Sequence, residues 1–486
     1  MRSKITSLAS DTLVYGVSTV VGRFLTFLLT PLYTNYLSPS EMGEVAAIYS
    51  MIAFVNILYS LGMEPAYMRF FERNNEERNR SVFSVAFWLV AGIGVFVTLA
   101  TVIFAVPIST SSFLKLDENG ASLVRIAALI PLFDALVLIP FARLRMQQRP
   151  RVFAMMRLLA IVVNVVLNIL FVVVWHMRIE GVIYAGIISS AVSFAVFVPS
   201  ILSSLRLAFD RALYREMVRF GLPTVPSSFS SIMVQVADRP IMLMLSSSAA
   251  VGMYQTNFRL AIPMMLFVTV FEYAWKPFYL HHRDDVDAKE TFARIFTLFT
   301  AVCGAVFLIT SIAMPIVVQL PFVGGRFINP TYWSGMHIIP IILLAYVFNG
   351  FMINFAVGPH ITKRTATLPI ATGVAAVVNV LATFIGFPLL GIDGAAWAKV
   401  IAYVAGAAVL YVVVQRIYPM KYDWTRVLLT MIAAAALYGV TLITPPNSTL
   451  HVIVRIAVVP AYILLLVPIG VISPQTLRTL RGLVQR

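Results

Sequence analysis

One cysteine, Cys303, among 486 residues excludes a disulfide scaffold. Charge is scarce as well: Asp, Glu, Lys and Arg make up 12% of the chain, where a soluble domain carries about a quarter. Acids are the scarcer sign, 21 against 36 bases. No phosphate-cradling Gly-x4-Gly-Lys-Ser/Thr occurs, and of the six histidines only His281 and His282 are adjacent, so neither that route to ATP hydrolysis nor a metal site is indicated. No cofactor is expected. What is abundant is apolar: 60% hydrophobic residues and a mean hydropathy of +0.88. Such a chain has too little polar surface to cover a water-soluble fold, and too much apolar surface to stay disordered. Its long, nearly uncharged blocks specify an all-α polytopic membrane protein rather than a barrel of short alternating strands.

A spanning helix takes about 20 apolar residues. Fourteen stretches qualify, near 12–37, 43–63, 82–108, 121–143, 153–175, 180–206, 219–246, 250–276, 294–322, 333–357, 367–390, 393–418, 424–444 and 450–472. The weakest are the seventh, interrupted by Pro223, Pro226 and Asp238-Arg239-Pro240, and the pair packed around Gly391-Ile392-Asp393-Gly394. Odd-numbered gaps carry only Lys115, Arg178 and Arg326, whereas the even-numbered gaps and the two ends hold most of the other bases. That alternation follows the positive-inside rule and puts both termini in the cytoplasm. It also accounts for the net charge of +15 without nucleic acid. The first apolar run is too long for a cleavable signal peptide and lacks a small-residue cleavage site. No gap exceeds about 20 residues, so an extramembrane catalytic domain has nowhere to form.

The two halves of the chain echo each other. Leu37-Ser38-Pro39-Ser40 and Gly43 match Leu245-Ser246-Ser247-Ser248 and Gly252; Val162-Val163-Asn164-Val165 and Gly181 match Val377-Val378-Asn379-Val380 and Gly394. Six helices separate the partners, and an even number makes the repeats parallel about an axis along the membrane normal. The expected organisation is a lobe at 1–206, a second at 219–418, an extra helix pair at 424–472 and a basic cytoplasmic tail at 473–486.

The segment from Leu13 to Met63, with Thr34-Asn35-Tyr36-Leu37-Ser38-Pro39-Ser40-Glu41-Met42-Gly43 at its centre, resembles the start of the Wzx-type oligosaccharide flippases. These form part of the polysaccharide transporter branch of the MATE/lipid II flippase (MOP) superfamily. The resemblance extends over the chain as the two-lobe, fourteen-helix plan. It implies a bacterial inner-membrane protein that flips undecaprenyl-diphosphate-linked sugar repeat units outward for surface polysaccharides such as O-antigen. It implies no enzymatic activity, and it implies a cationic lumen facing an anionic lipid-linked sugar. Neighbours implied are membrane lipid, a polysaccharide polymerase and other export machinery; a monomer is favoured.

An ionisable side chain at mid-helix costs at least ~2.5–3.5 kcal/mol on insertion scales, so each one asks for a reason. Arg23 lies roughly 16 Å into the first helix, on a stripe with Gly16, Thr19, Thr26 and Thr30, extended by Thr12 and Thr34. Such a stripe suits the wall of a hydrated cavity; a structural ion pair is the alternative. A matching stripe on the seventh helix runs through Thr224, Ser228, Ser231, Gln235 and Asp238. Arg259, with Gln255 and Pro263 a turn to either side, joins Arg23 as a second guanidinium for a diphosphate, whose oxygens its planar fork matches. Lys399 is a third cation, unless Asp393 neutralises it. Asp238 and Arg239 either line the path, with a carbonyl freed by Pro240, or steady a kinked helix. Asp134, Glu64 and Glu272 are candidates for ion coupling or gating; Asp134 is alternatively a counter-ion for Arg125 or Arg23, and the other two alternatively form gate salt bridges. Tyr33, Tyr36, Trp275, Phe278, Tyr279, Tyr332, Trp333 and Trp424 are expected in an aromatic belt. Asp285-Val286-Asp287 has glycosyltransferase spacing but sits in a short charged loop. Competing functions are a lipid II flippase, a MATE-like drug or cation antiporter, which calls for an acidic cavity, and a membrane glycosyltransferase or polymerase, which calls for a catalytic loop.

Overall fold

The computed structural model describes residues 16, 20–116, 120–206, 210–445 and 448–471. Thr12, Thr19 and the basic tail at 473–486 lie outside the described residues. Among the described residues ten helices are long and apolar enough to cross a membrane, and an eleventh span is the pair Ser248–Leu260 and Ile262–His281, bent by 53°. The other three expected spans are also helical. The first is described from residue 20 onward, the seventh is broken into Val225–Val236 and Asp238–Leu245, and the last, Thr449–Leu465, is short. Helices are the open-chain answer to hydrocarbon because every backbone N–H and C=O is satisfied within the segment. The result is an all-α, multi-pass membrane protein of two six-helix halves and a C-terminal pair.

The Leu37-Ser38-Pro39-Ser40-Glu41 segment is a helix start. Ser38 Oγ accepts from the Glu41 N–H, and Glu41 Oε2 accepts from the Ser38 N–H at 2.8 Å. This capping box, with Pro39 in the first turn, fixes where the second helix, Pro39–Ser60, begins. Arg178 then clamps Glu41, Nε to Oε1 at 2.6 Å. The two repeat glycines face each other's helices. A Cβ on Gly43 would lie 1.8 Å from the Ser248 carbonyl oxygen, and one on Gly252 would lie 1.9 Å from that of Pro39. The second and eighth helices therefore meet backbone to backbone at the end opposite the basic loops. Further bonds reinforce this seal: Tyr332 OH donates to the Leu37 carbonyl at 2.9 Å, and Lys115 Nζ to the Met244 carbonyl at 3.0 Å. A hairpin pairing Pro321–Phe322 with Gly325–Arg326, turned at Gly324 (φ 84°), adds a bond from Asn35 Nδ2 to the Arg326 carbonyl at 2.6 Å.

Two elements differ from expectation. Residues 211–221 fold as the helix Arg211–Gly221, with Leu213 and Met217 buried and Arg211, Arg215 and Arg219 exposed. Its apolar period is masked in the sequence by its arginines. Several belt aromatics are instead buried: Trp275 and Tyr279 pack with Phe271, Phe278 and Phe292, and Tyr33 is buried with its OH donating to Asn168 Oδ1 at 2.8 Å. The C-terminal pair leans on the ninth helix, Ala288–Val317, where Gly304 leaves room for Tyr462, whose OH donates to the Ala301 carbonyl at 3.0 Å.

Candidate functional site

Two adjoining chambers, of about 670 and 570 Å³, share Arg23, Gln235, Arg239, Phe258, Met265 and Tyr346 in their walls; apart from Arg23 the larger is lined from the second half of the chain, whereas the smaller draws on both halves. Their position follows from prolines. Pro240 and Pro263 each remove a backbone donor, and the helices break at Ala237 and Ala261, one turn or less from Arg239 and Arg259. The larger chamber runs toward the basic end through Glu272, Lys276, Tyr279 and His360. The smaller one is further lined by Gly22, Thr26, Arg157, Ile161, Gln255 and Arg259.

Charge is distributed unevenly around them. Asp238 is fully buried and serves two cations: Oδ1 accepts from Arg239 Nη1 at 2.9 Å, and Oδ2 from Lys399 Nζ at 2.9 Å and Tyr254 OH at 2.7 Å. Lys399 Nζ also donates to the Val234 carbonyl at 2.6 Å, Arg239 Nη1 to the Gln235 carbonyl, and Arg239 Nε to Gln255 Oε1 at 2.8 Å. The carbonyls at the helix break are thus taken by the protein's own cations. Arg23 donates to Thr269 Oγ1 at 2.7 Å, tying the first helix to the eighth. Arg259 keeps Nη1 buried with no hydrogen-bond partner among the described residues. An orphaned charged donor costs more than the ~1–3 kcal/mol of a neutral one, so this guanidinium asks for an anion or water.

Of the residues singled out in the sequence, Arg23, Thr26, Gln235, Arg239, Arg259, Lys399 and Glu272 come together in these walls. Others do not. Thr30 and Thr34 are buried, so the polar stripe of the first helix ends near Thr26 as the chain turns into the packed outer seal. Lys399 answers Asp238 rather than Asp393, which pairs with His337 Nε2 at 3.0 Å. Asp134 accepts from Ser190 Oγ at 2.7 Å and pairs with neither Arg125 nor Arg23. Glu64 is taken by Arg145 at 2.7 Å. Arg157 was missed because it sits near the end of its span and reads as one more boundary base. The 215-residue offset between Asn164 and Asn379 places Thr372 as its repeat mate, and Thr372 lines the larger chamber. No group of three or more His, Cys, Asp or Glu poised for a metal exists among the described residues.

This geometry defines a transporter-like membrane protein with a central, mainly cationic cavity. The chain belongs to the family described as "Polysaccharide biosynthesis protein", whose profile matches residues 34–332. A search of curated protein sequences gives no match. Among solved structures the chain is similar to the lipid II flippase MurJ in an inward closed conformation, with a TM-score of 0.74 at 14% identity over 93% of this chain and 98% of that one. It is similar also to an inward-facing multidrug resistance MATE transporter of the MOP superfamily, with a TM-score of 0.67 at 16% identity over 81% and 94%. A third likeness is to a MATE transporter of that superfamily in an outward-facing conformation, with a TM-score of 0.59 at 14% identity over 85% and 95%. At these identities the likeness is one of fold.

Proposed function

We propose that the protein flips a polyprenyl-diphosphate-linked oligosaccharide from the cytoplasmic to the outer leaflet of a bacterial inner membrane, for surface polysaccharide synthesis. The observation that carries this reading is the cavity itself. Arg23, Arg157 and Arg259 line it at membrane depth and form no ion pair with a carboxylate among the described residues. Cations left uncompensated in a membrane interior suit an anionic load, and guanidinium suits a diphosphate. A cavity built for cationic drugs needs the opposite sign. The family's description supports the polysaccharide assignment.

The basic end faces the cytoplasm, by the positive-inside rule. The load enters the larger chamber, its diphosphate reaching Arg23, Arg157 and Arg259, with Thr26, Gln235 and Arg239 completing the wall. Lys399 acts through Asp238, holding the broken seventh helix and Arg239 in place. The lobes at 1–206 and 219–418 then rock, the seal at Gly43 and Gly252 parts, and the polyprenyl tail stays in lipid beside the helices of 424–472. Glu272, which forms no ion pair among the described residues, is the carboxylate placed to couple an ion gradient; Glu64 and Arg145 act as a gate pair. Downstream, a polymerase receives the flipped unit.

A deletion strain tests this. It should lose surface polysaccharide and accumulate lipid-linked repeat units on the cytoplasmic side, with Arg23→Ala and Arg259→Ala failing to complement although inserted normally. Arrested peptidoglycan synthesis in that strain, or lost dye efflux with normal polysaccharide, would move the assignment to a lipid II flippase or a drug antiporter.

A further inference from the structure

The basic end of the N-terminal half holds another cavity, of about 440 Å³, which shares no lining residue with the central chambers. Its walls come from the turn before the third helix and that helix's first turns, the end of the helix Leu129–Met146 with the turn that follows it, and Ser204 at the end of the sixth helix. Arg73, Arg80, Arg143 and Arg149 line it, with Glu76 as the one acid and four Asn or Gln side chains between them.

The positive-inside rule explains arginines at this end, but it does not explain which of them are paired. Arg78, Arg145 and Arg206, just outside the cavity, each hold a glutamate, at 2.9, 2.7 and 3.3 Å. None of the four arginines in the cavity forms an ion pair among the described residues. Arg143 is held in place nonetheless: it donates to Ser204 Oγ and lies 5.6 Å over the Phe83 ring. Like charges gathered in one concavity repel unless an anion fills it. Guanidinium forks and amide N–H groups together match phosphate oxygens, and the volume falls in the range of small-ligand sites.

We propose that this cavity binds a phosphate-bearing anion, independently of the transport cavity. The phosphate comes either from a soluble phosphate ester or diphosphate at that face, or from the headgroup of an anionic phospholipid. Two arms separate the sources, each using the full-length protein. Protein in phosphatidylcholine nanodiscs is titrated with inorganic pyrophosphate. Protein in phosphatidylglycerol nanodiscs is examined by native mass spectrometry for retained lipid. Binding in one arm is expected, weakened by about tenfold per arginine removed in Arg80→Gln and Arg149→Gln, and unchanged in Arg294→Gln, an exposed base that lines none of these cavities. Arg80 and Arg149 are exposed, so thermal unfolding should match the parent and confirm that the variants fold. Binding in neither arm overturns the proposal, as does binding that survives Arg80→Gln/Arg149→Gln but is lost in Arg259→Ala.

Discussion

Asp238 is fully buried, neutralises two cations and accepts from a phenol, so Asp238→Asn leaves Arg239 and Lys399 in mutual repulsion. Breaking a buried pair from one side costs about 3–5 kcal/mol. The variant should unfold at a clearly lower temperature in detergent, and Lys399→Met in the same background should recover much of the loss, since it removes one of the stranded charges. Equal stability of all three proteins would mean the triad is not formed. Arg259 behaves differently. Its orphaned Nη1 makes no internal bond to lose, so Arg259→Ala should leave thermal stability near the parent while weakening polyprenyl-diphosphate binding by about tenfold or more. A large stability loss without a binding defect would assign it a structural role. Glu272→Gln should keep binding and abolish stimulation by an ion gradient; stimulation that persists would place the coupling group elsewhere.

At the scale of elements, the outer seal depends on two glycines. A methyl at Gly43 cannot coexist with the Ser248 carbonyl at 1.8 Å, so Gly43→Ala should force the second and eighth helices apart and bias the protein toward the state open at that end. Spin labels on cysteines at Ser40 and Ser246, both exposed, read this directly, because the native Cys303 is buried and silent. The interlabel distance should lengthen in Gly43→Ala and stay unchanged in Gly92→Ala, where a Cβ meets nothing within 4 Å. The broken helices serve the opposite purpose. Pro240 and Pro263 interrupt regular helix where Arg239 and Arg259 must face the cavity.

For the molecule as a whole, composition and charge alternation carried most of the architecture, because a membrane constrains the backbone more tightly than water does. The repeat was legible in Gly43 and Gly252, whose role is steric and therefore tied to one residue type. Arg23 and Arg259 were legible because mid-span arginine has few other uses. Arg157 was not, since a base near a helix end looks like a boundary residue until the fold brings it into the wall of the smaller chamber. The partner of Lys399 was illegible because Asp238 is 161 positions away in sequence and meets it only through packing of the seventh helix against the eleventh and twelfth. The buried Trp275 and Tyr279 escaped notice for a similar reason: an interfacial position along the chain says nothing about which way a ring turns.

The most direct test of a cationic flipping cavity is translocation by the purified protein in liposomes. A fluorescent polyprenyl-diphosphate oligosaccharide is placed in both leaflets, and its exposure to an external quencher is followed with and without an ion gradient. The parent protein should move the lipid across and respond to the gradient, and Arg23→Ala and Arg259→Ala should not. Translocation by both variants at the parent rate, or none by the parent with any such lipid, would contradict the assignment.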